Sequence, residues 1–325
     1  MTRISDKSDG AVLYHAVSSY QLLEVLLHRL LVHPHAPAVL LLPDFITRKY
    51  PRYQKLARPP FFDRVYLFPY LHIPHREEAQ VTRDAQAACR AVLPLPLRSF
   101  SHIYVAGGHF YFSLCLIQEQ IPFCFFEDAA GMLSRAEELY RSLSRTFPLH
   151  AEIARRHGLF DGKNPCISRI YCLKSAQTVD VCGSLYRDFS VERALQGLPP
   201  GQRKRLLHLF LPRRIRARGQ AILLTQQFAG LGIMSEDEQR RLYEGLLDGP
   251  LRGIKLIIKK HPDDTLDYRR IFPGAQILRG VFPSELLPYI FFKKPDTVYA
   301  FDSTGCENLK EHFIVRTLGR ESHDH

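Results

Sequence analysis

Each of three short apolar runs in the second half of this 325-residue sequence ends in a polar cluster. Ala221 to Leu224 is followed by Thr225, Gln226 and Gln227. Ile254 to Lys259 is followed by Lys260, His261 and Pro262. Thr297 to Phe301 is followed by Asp302, Ser303, Thr304 and Gly305, just ahead of a helical pattern. Ser303, Thr304 and the amides after them would offer hydroxyl and N–H donors at a helix start, which is a natural phosphate site. His261 can give a proton or a hydrogen bond to a phosphate near neutral pH. Glu285, behind Pro283 and Ser284, is a carboxylate placed to take ribose hydroxyls. Each element alone is ordinary: a His-Pro pair makes a turn, Ser-Thr after a strand caps a helix, and Pro-Ser-Glu is a capping sequence. Their shared position, at strand ends and helix starts, points to a phosphate-bearing ligand in one cleft.

The first half supplies a different chemistry. Glu127 and Asp128 close the run Pro122 to Phe126. A carboxylate there can take the proton from an acceptor hydroxyl in a group transfer; the alternative is that the pair caps the next helix. Gly107, Gly108 and His109 end the preceding run and are read either as an acceptor floor or as a tight turn. No D-x-D stands at a strand end, and Asp263-Asp264 reads as a solvated helix start, so no metal site is expected. The sequence has no P-loop, no G-x-G-x-x-G and no G-x-S-x-G. No cofactor is called for.

These residues need a scaffold of alternating strands and helices. Strands are predicted at 11–16, 38–42, 64–68, 103–106 and 122–126. A helix follows the first, capped by Ser18 and Ser19, with apolar positions at Leu22, Leu23, Leu26, Leu27, Leu30 and Leu31. An Ala-rich helix is predicted over 76–92 and another over 110–119. The middle holds helical pieces, a weaker strand at 167–172 and the Pro199-Pro200-Gly201 breaker. The pattern then restarts, with strands at 221–224, 254–259, 275–278 and 297–301. Ser235 caps a helix over 236–247, Ser284 opens a short one, and another is expected over 306–312. Strands alternating with helices imply parallel sheets. The expectation is an α/β chain of two Rossmann-like domains facing a central cleft, over residues 1–210 and 219–325.

Composition limits the setting. With 46% hydrophobic and 24% charged residues the chain is globular. No apolar stretch approaches the roughly 20 residues of a membrane span. The polar N-terminus has no signal-peptide core, so a cytoplasmic location is expected. Seven scattered cysteines without a C-x-x-C pair read as reduced core residues. The net charge of +11 favours anionic partners, and Arg203, Lys204, Arg205, Arg213, Arg214, Arg216 and Arg218 crowd one segment. That segment is read as a solvated linker, or as a peripheral contact with an anionic membrane around 203–218. No recognition motif accompanies it, so no specific nucleic-acid partner is expected.

Taken together, these motifs resemble those of bacterial sialyltransferases and polysialyltransferases of the GT-B type. That group shares an acidic-acidic-Gly motif, a His-Pro motif and a Ser-Ser/Thr motif, matched here by Glu127-Asp128, His261-Pro262 and Ser303-Thr304. The chain looks most like glycosyltransferase family 52, the lipooligosaccharide sialyltransferase type. The segments Ile257 to Pro262 and Pro283 to Glu285 are similar to that family's donor side, and Tyr14 to Leu23 to its first strand and helix. The likeness runs along most of the chain as short motifs. One departs from the pattern: in Glu127-Asp128-Ala129-Ala130-Gly131 the glycine is displaced.

The resemblance implies a GT-B fold with an N-terminal acceptor domain and a C-terminal donor domain. It implies an inverting, metal-independent transfer of sialic acid or a related acidic sugar from a CMP-linked donor to a surface glycan or glycolipid, as in lipopolysaccharide or capsule synthesis. Asp128 and His261 would be catalytic. Glu127, Gly107, Gly108, His109, Thr225, Gln226, Lys260, Pro262, Glu285, Ser303 and Thr304 would bind substrate. Two alternatives stay open: the same fold with a CMP-Kdo or CDP-polyol donor, or a non-catalytic basic protein on a degenerate transferase fold.

Overall fold

Runs of Val, Leu, Ile and Phe without polar alternation belong in parallel sheets covered on both faces. The structure, a computed structural model describing residues 10–50, 52–301 and 304–319, puts them there. The chain divides into two compact units, 1–203 and 204–325.

The first unit has one parallel sheet. Its strands are β1 (Val12–His15), β2 (Ala38–Pro43), β3 (Arg64–Phe68), β4 (His102–Ala106), β5 (Phe123–Phe126), β6 (Ile167–Cys172) and β7 (Tyr186–Asp188), in the order β3-β2-β1-β4-β5-β6-β7. The central strands β1, β2 and β5 are buried at every residue, while the edge strand β3 is mostly half-buried and β7 mostly exposed. The helices are α1 (Ser19–Val32), α2 (Ile46–Lys49), α3 (Glu78–Val92), α4 (Phe110–Gln118), α5 (Ala136–Thr146), α6 (Pro148–Arg156), α7 (Val191–Gly197) and α8 (Pro200–Phe210), the last running into the second unit.

Register decides which side chains face which helices. Leu13, Val39 and Ile103 lie side by side and join the core with Val81 and Cys89 of α3, Phe112 of α4 and Ile153 of α6. One residue later along β1, Tyr14 points to the other face. It stacks on Tyr104 at 4.8 Å, and His28 of α1 packs on both rings. Ser18 caps α1 through a reciprocal capping box with Gln21. Leu22, Leu23, Leu26, Leu27 and Leu30 are buried as expected, but Leu31 is exposed.

The second unit repeats the plan with β8 (Ala221–Leu224), β9 (Leu256–Lys259), β10 (Gln276–Ile277), β11 (Thr297–Ala300) and β12 (Ile314–Thr317), parallel in the order β10-β9-β8-β11-β12. Its helices are α9 (Glu236–Asp248), α10 (Tyr268–Ile271) and α11 (Leu287–Ile290). A Ser235–Glu238 capping box starts α9.

Several local expectations are corrected. The Pro199-Pro200-Gly201 breaker begins a helix instead, because proline's fixed φ suits a first helical turn. The helix expected over 306–312 is a six-residue 3-10 segment, Thr304–Leu309. The strand expected over 275–278 shrinks to two residues. Strands β7 and β12 lie at sheet edges, where exposure removes the apolar signal. All seven cysteines are free. No helix among the described residues is long and apolar enough to cross a membrane.

Candidate functional site

In a parallel α/β sheet, ligands bind beyond the carboxyl ends of the strands, where the strand order reverses. In the first unit that point is between β1 and β4. β4 ends at Ala106, and the chain turns through Gly107 (φ 73°) and Gly108 (φ 57°). Residues with side chains adopt such angles only under strain. A Cβ on Gly107 would overlap the Gln21 side-chain amide and come within 2.6 Å of Asp128 Oδ1; one on Gly108 would overlap the Leu159 carbonyl oxygen. The turn is bare, and Asp128 and Gln21 close over it.

The two acidic residues after β5 separate. Glu127 is buried, and its carboxyl accepts from the Leu173 amide at 2.7 Å and from Gln177 Nε2 at 2.8 Å. Burial pushes it up to about 7 despite those donors. Asp128 turns to the glycine loop and accepts from Gln21 Nε2 at 2.6 Å. Burial raises it to about 6, with the Gln21 hydrogen bond pulling the other way. Neither caps α5, which starts at Ala136 behind Arg135. Asp128 therefore has the character of a base that ionises just below neutrality.

His109 caps α4, its Nδ1 accepting from the Phe112 amide at 3.1 Å. That use leaves the proton on Nε2, which is buried without a partner among the described residues. His15, at the end of β1, is oriented the other way: Nδ1 donates to the Leu41 carbonyl at 2.6 Å, and its bare Nε2 is equally unpartnered. The rings meet edge to face at 4.1 Å. Burial lowers both, His15 to about 4, so both are neutral.

In the second unit, Thr225 follows β8 and is buried. Its hydroxyl donates to Asp264 at 3.1 Å and accepts from the His261 backbone N–H at 3.0 Å. Asp264 also accepts from Tyr268 OH at 2.5 Å, Gln239 Nε2 at 3.2 Å and the Leu266 amide at 3.1 Å. The expected solvated helix start is thus corrected at Asp264, which is a buried post holding the His261-Pro262 loop. Lys260 is spent there too, donating to the Leu266 carbonyl at 2.8 Å. The His261 Nδ1 accepts from the Asp263 amide at 3.2 Å, which places the ring proton on Nε2. Gln226 receives its support through the backbone, from Tyr243 OH and Gln239.

Glu285 lies in the 3-10 turn Ser284–Leu286 and is buried. Burial raises its carboxyl, and the nearby Lys259 charge partly offsets this. Lys259 is lowered by burial to about 8, with Glu285 opposing, and its ammonium stands 4.7 Å over the Phe282 ring. Ser303 lies outside the described residues; Thr304 begins the last 3-10 segment.

The structure therefore gathers Gly107, Gly108 and Asp128 in the first unit, and Thr225, Lys260, His261 and Pro262 in the second. Sequence reasoning missed Gln21, Gln177, His15, Lys259 and Asp264. Only Gln21 left a signal, the S-x-x-Q spacing of a capping box.

No protein-family profile matches the sequence. An uncharacterised protein of Haemophilus influenzae is 33% identical over 90 residues, covering 28% of this chain and 29% of that protein. The match thus spans under a third of that relative's length. Among solved structures, an alpha/beta-galactoside alpha-2,3-sialyltransferase from Photobacterium phosphoreum aligns over 95% of this chain and 90% of its own, with a TM-score of 0.56 and 11% identity. The glycotransferase of kitacinnamycin aligns over 97% and 82%, with a TM-score of 0.53 and 14% identity. A UDP-GlcNAc 2-epimerase from Neisseria meningitidis, bound to UDP-GlcNAc, aligns over 95% and 82%, with a TM-score of 0.51 and 15% identity. These likenesses show the fold: the chain is an α/β protein of GT-B type, with two Rossmann-like parallel sheets.

Proposed function

We propose that the chain is an inverting glycosyltransferase that moves sialic acid or a related acidic sugar from a CMP-linked donor to a glycan or glycolipid acceptor on the cytoplasmic side of a membrane. The observation that carries the reading is Asp128, a carboxyl at the end of β5, oriented by Gln21 over the Gly107-Gly108 turn and raised to about 6. The donor class rests on the likeness of His261-Pro262, Glu285 and Ser303-Thr304 to the motifs of family 52.

In this mechanism the acceptor hydroxyl attacks the anomeric carbon from the face opposite the leaving group. The new C–O bond forms as the bond to the CMP phosphate breaks. The hydroxyl proton passes to Asp128 late in the step, because an alcohol is far less acidic than a carboxylic acid until its oxygen bonds. Charge builds on the departing phosphate, where the His261 Nε2–H is suited to donate. A nucleoside monophosphate leaving group needs no cation, so the transfer is expected to proceed in EDTA.

A thermal-shift panel of CMP, CDP, UDP and GDP, followed by donor hydrolysis, tests this. CMP should raise the Tm most, and at a hundredfold excess over Kd a ligand of the native state adds about 2.7 kcal/mol. A response to UDP and not CMP would replace the reading with UDP-sugar chemistry. A response to none would favour a non-catalytic protein.

A further inference from the structure

The basic stretch of the sequence is not one surface. Arg203, Lys204 and Arg205 belong to α8, whereas the chain beyond it is extended and pinned by its backbone. Ile215 forms a parallel bridge with Phe291: its N–H donates to the Ile290 carbonyl at 2.7 Å, and its carbonyl accepts from the Phe292 amide at 3.1 Å. Further along, Gln276 clamps the same segment, its Nε2 donating to the Arg216 carbonyl at 3.0 Å and its Oε1 accepting from the Arg218 amide at 2.7 Å. With the backbone held inward, the side chains of Arg213, Arg214, Arg216 and Arg218 are left exposed.

The bridge sets this segment beside Phe292 and Lys293, both exposed. Phe292 is 66% exposed, beyond any other large apolar side chain of the described residues, and the Arg214 guanidinium lies 5.5 Å from its ring centre. The sequence has no acidic residue between Glu192 and Glu236, nor between Glu285 and Asp296. No carboxylate among the described residues pairs with Arg213, Arg214, Arg216 or Lys293.

We propose that this face of the second unit docks on an anionic lipid surface, Phe292 entering the interface while Arg213, Arg214, Arg216 and Lys293 meet headgroup phosphates. A fixed cationic strip around one exposed aromatic side chain has the chemistry of such a contact. Nucleic acid fits it less well. Single-strand binding needs bare aromatic faces for base stacking, and here the one aromatic ring already carries Arg214. The inference stands apart from the donor chemistry, because it is tested without any sugar nucleotide.

The test is co-sedimentation of the full chain with vesicles of phosphatidylcholine alone and of equal parts phosphatidylcholine and phosphatidylglycerol. Binding is expected only to the mixed vesicles and should fall with added salt. Each cation near the surface contributes roughly fivefold in affinity. Arg214→Glu with Arg216→Glu should therefore lose more than about a hundredfold. Phe292→Ser should lose roughly tenfold while keeping the salt dependence. An unchanged Tm in both variants shows that they fold. Binding that ignores lipid charge, binding that neither variant weakens, or no binding at low salt would overturn the proposal. Single-stranded RNA that displaces the vesicles, with an affinity lost in the same variants, would replace it with a nucleic-acid surface.

Discussion

The Gln21 side chain is held at both ends, and Asp128 is at one of them. Its Oε1 accepts from the backbone N–H of Val17 at 2.9 Å and of Ser18 at 3.2 Å, so its NH2 must point away, and it donates to Asp128 Oδ1 at 2.6 Å. The amide therefore cannot flip without losing three hydrogen bonds. One Asp128 oxygen is fixed as an acceptor, and in the proposed reaction the other takes the proton.

This arrangement should appear in the pH profile of transfer. The proposed base works ionised, so activity should fall as pH drops through about 6. Gln21 stabilises the charged form, so Gln21→Met should raise the acid limb by about one unit and reduce the plateau. Ser18→Ala removes the other half of the capping box, at about 1 kcal/mol of stability, without touching Asp128. Its limb should stay in place. Equal limbs in the wild type and Gln21→Met would reduce Gln21 to a helix cap.

The two loop glycines should fail in different ways. A methyl at Gly107 meets two side chains, Gln21 and Asp128, which can move aside and carry the carboxyl out of position. A methyl at Gly108 meets the Leu159 backbone oxygen, which cannot move cheaply. Both also bear the strain of a positive φ. Gly107→Ala should lose at least tenfold in kcat with a modest drop in Tm. Gly108→Ala should lose more Tm, by about 1–3 kcal/mol of stability. Melting curves beside steady-state rates decide it, and the reverse ranking would remove the glycine turn from the site.

Much of this architecture was legible in the sequence. Strand β3, for example, was predicted over its observed residues, because an apolar run between turn residues has few other readings. Ser18 and Ser235 are legible as caps because capping is local, and the structure adds their capping-box partners Gln21 and Glu238. What stayed hidden is long-range. Gln21 and Asp128 are 107 positions apart, and nothing in either neighbourhood announces the other. Adjacent acids also look alike in sequence. Only the fold sends Glu127 to Leu173 and Gln177 and Asp128 to the glycine loop. Asp264 looked like a surface residue for the same reason, since its partners Thr225, Gln239 and Tyr268 come from three separate elements.

Glu127 makes a prediction about stability rather than rate. Its carboxyl is raised from the ordinary 4.5 to about 7, so the folded chain holds this proton more tightly than the unfolded one. Between those values the native state binds more protons, and stability falls as pH rises. The penalty is absent below about 4.5 and complete above about 7, on the order of 3 kcal/mol. Glu127→Gln does not titrate, so the difference in unfolding free energy between wild type and variant should drift against the wild type across that window. Parallel curves from pH 4.5 to 7 would mean that Glu127 ionises normally.

The last prediction concerns Asp128 and His261, which serve different halves of the proposed reaction. Asp128→Asn keeps the shape of the carboxyl and removes the base, so transfer should fall roughly 100- to 10,000-fold while CMP binding is preserved. His261→Ala removes a donor to the leaving phosphate. It should weaken CMP binding and slow both transfer and donor hydrolysis, by about 2.7–4 kcal/mol if it acts as such donors do elsewhere. Thr225 supplies the control for position. Its hydroxyl joins the His261 amide to Asp264, so Thr225→Val leaves the His261 amide unpaired and removes one of the donors to Asp264, costing about 1–3 kcal/mol of stability. If the loop must be held for His261 to act, Thr225→Val should also weaken CMP, and Thr225→Ser should restore both. Calorimetry with CMP on the four variants, beside a transfer assay, separates the roles. Wild-type transfer by Asp128→Asn would put the base elsewhere, and normal CMP binding by His261→Ala would leave the His-Pro pair a turn and nothing more.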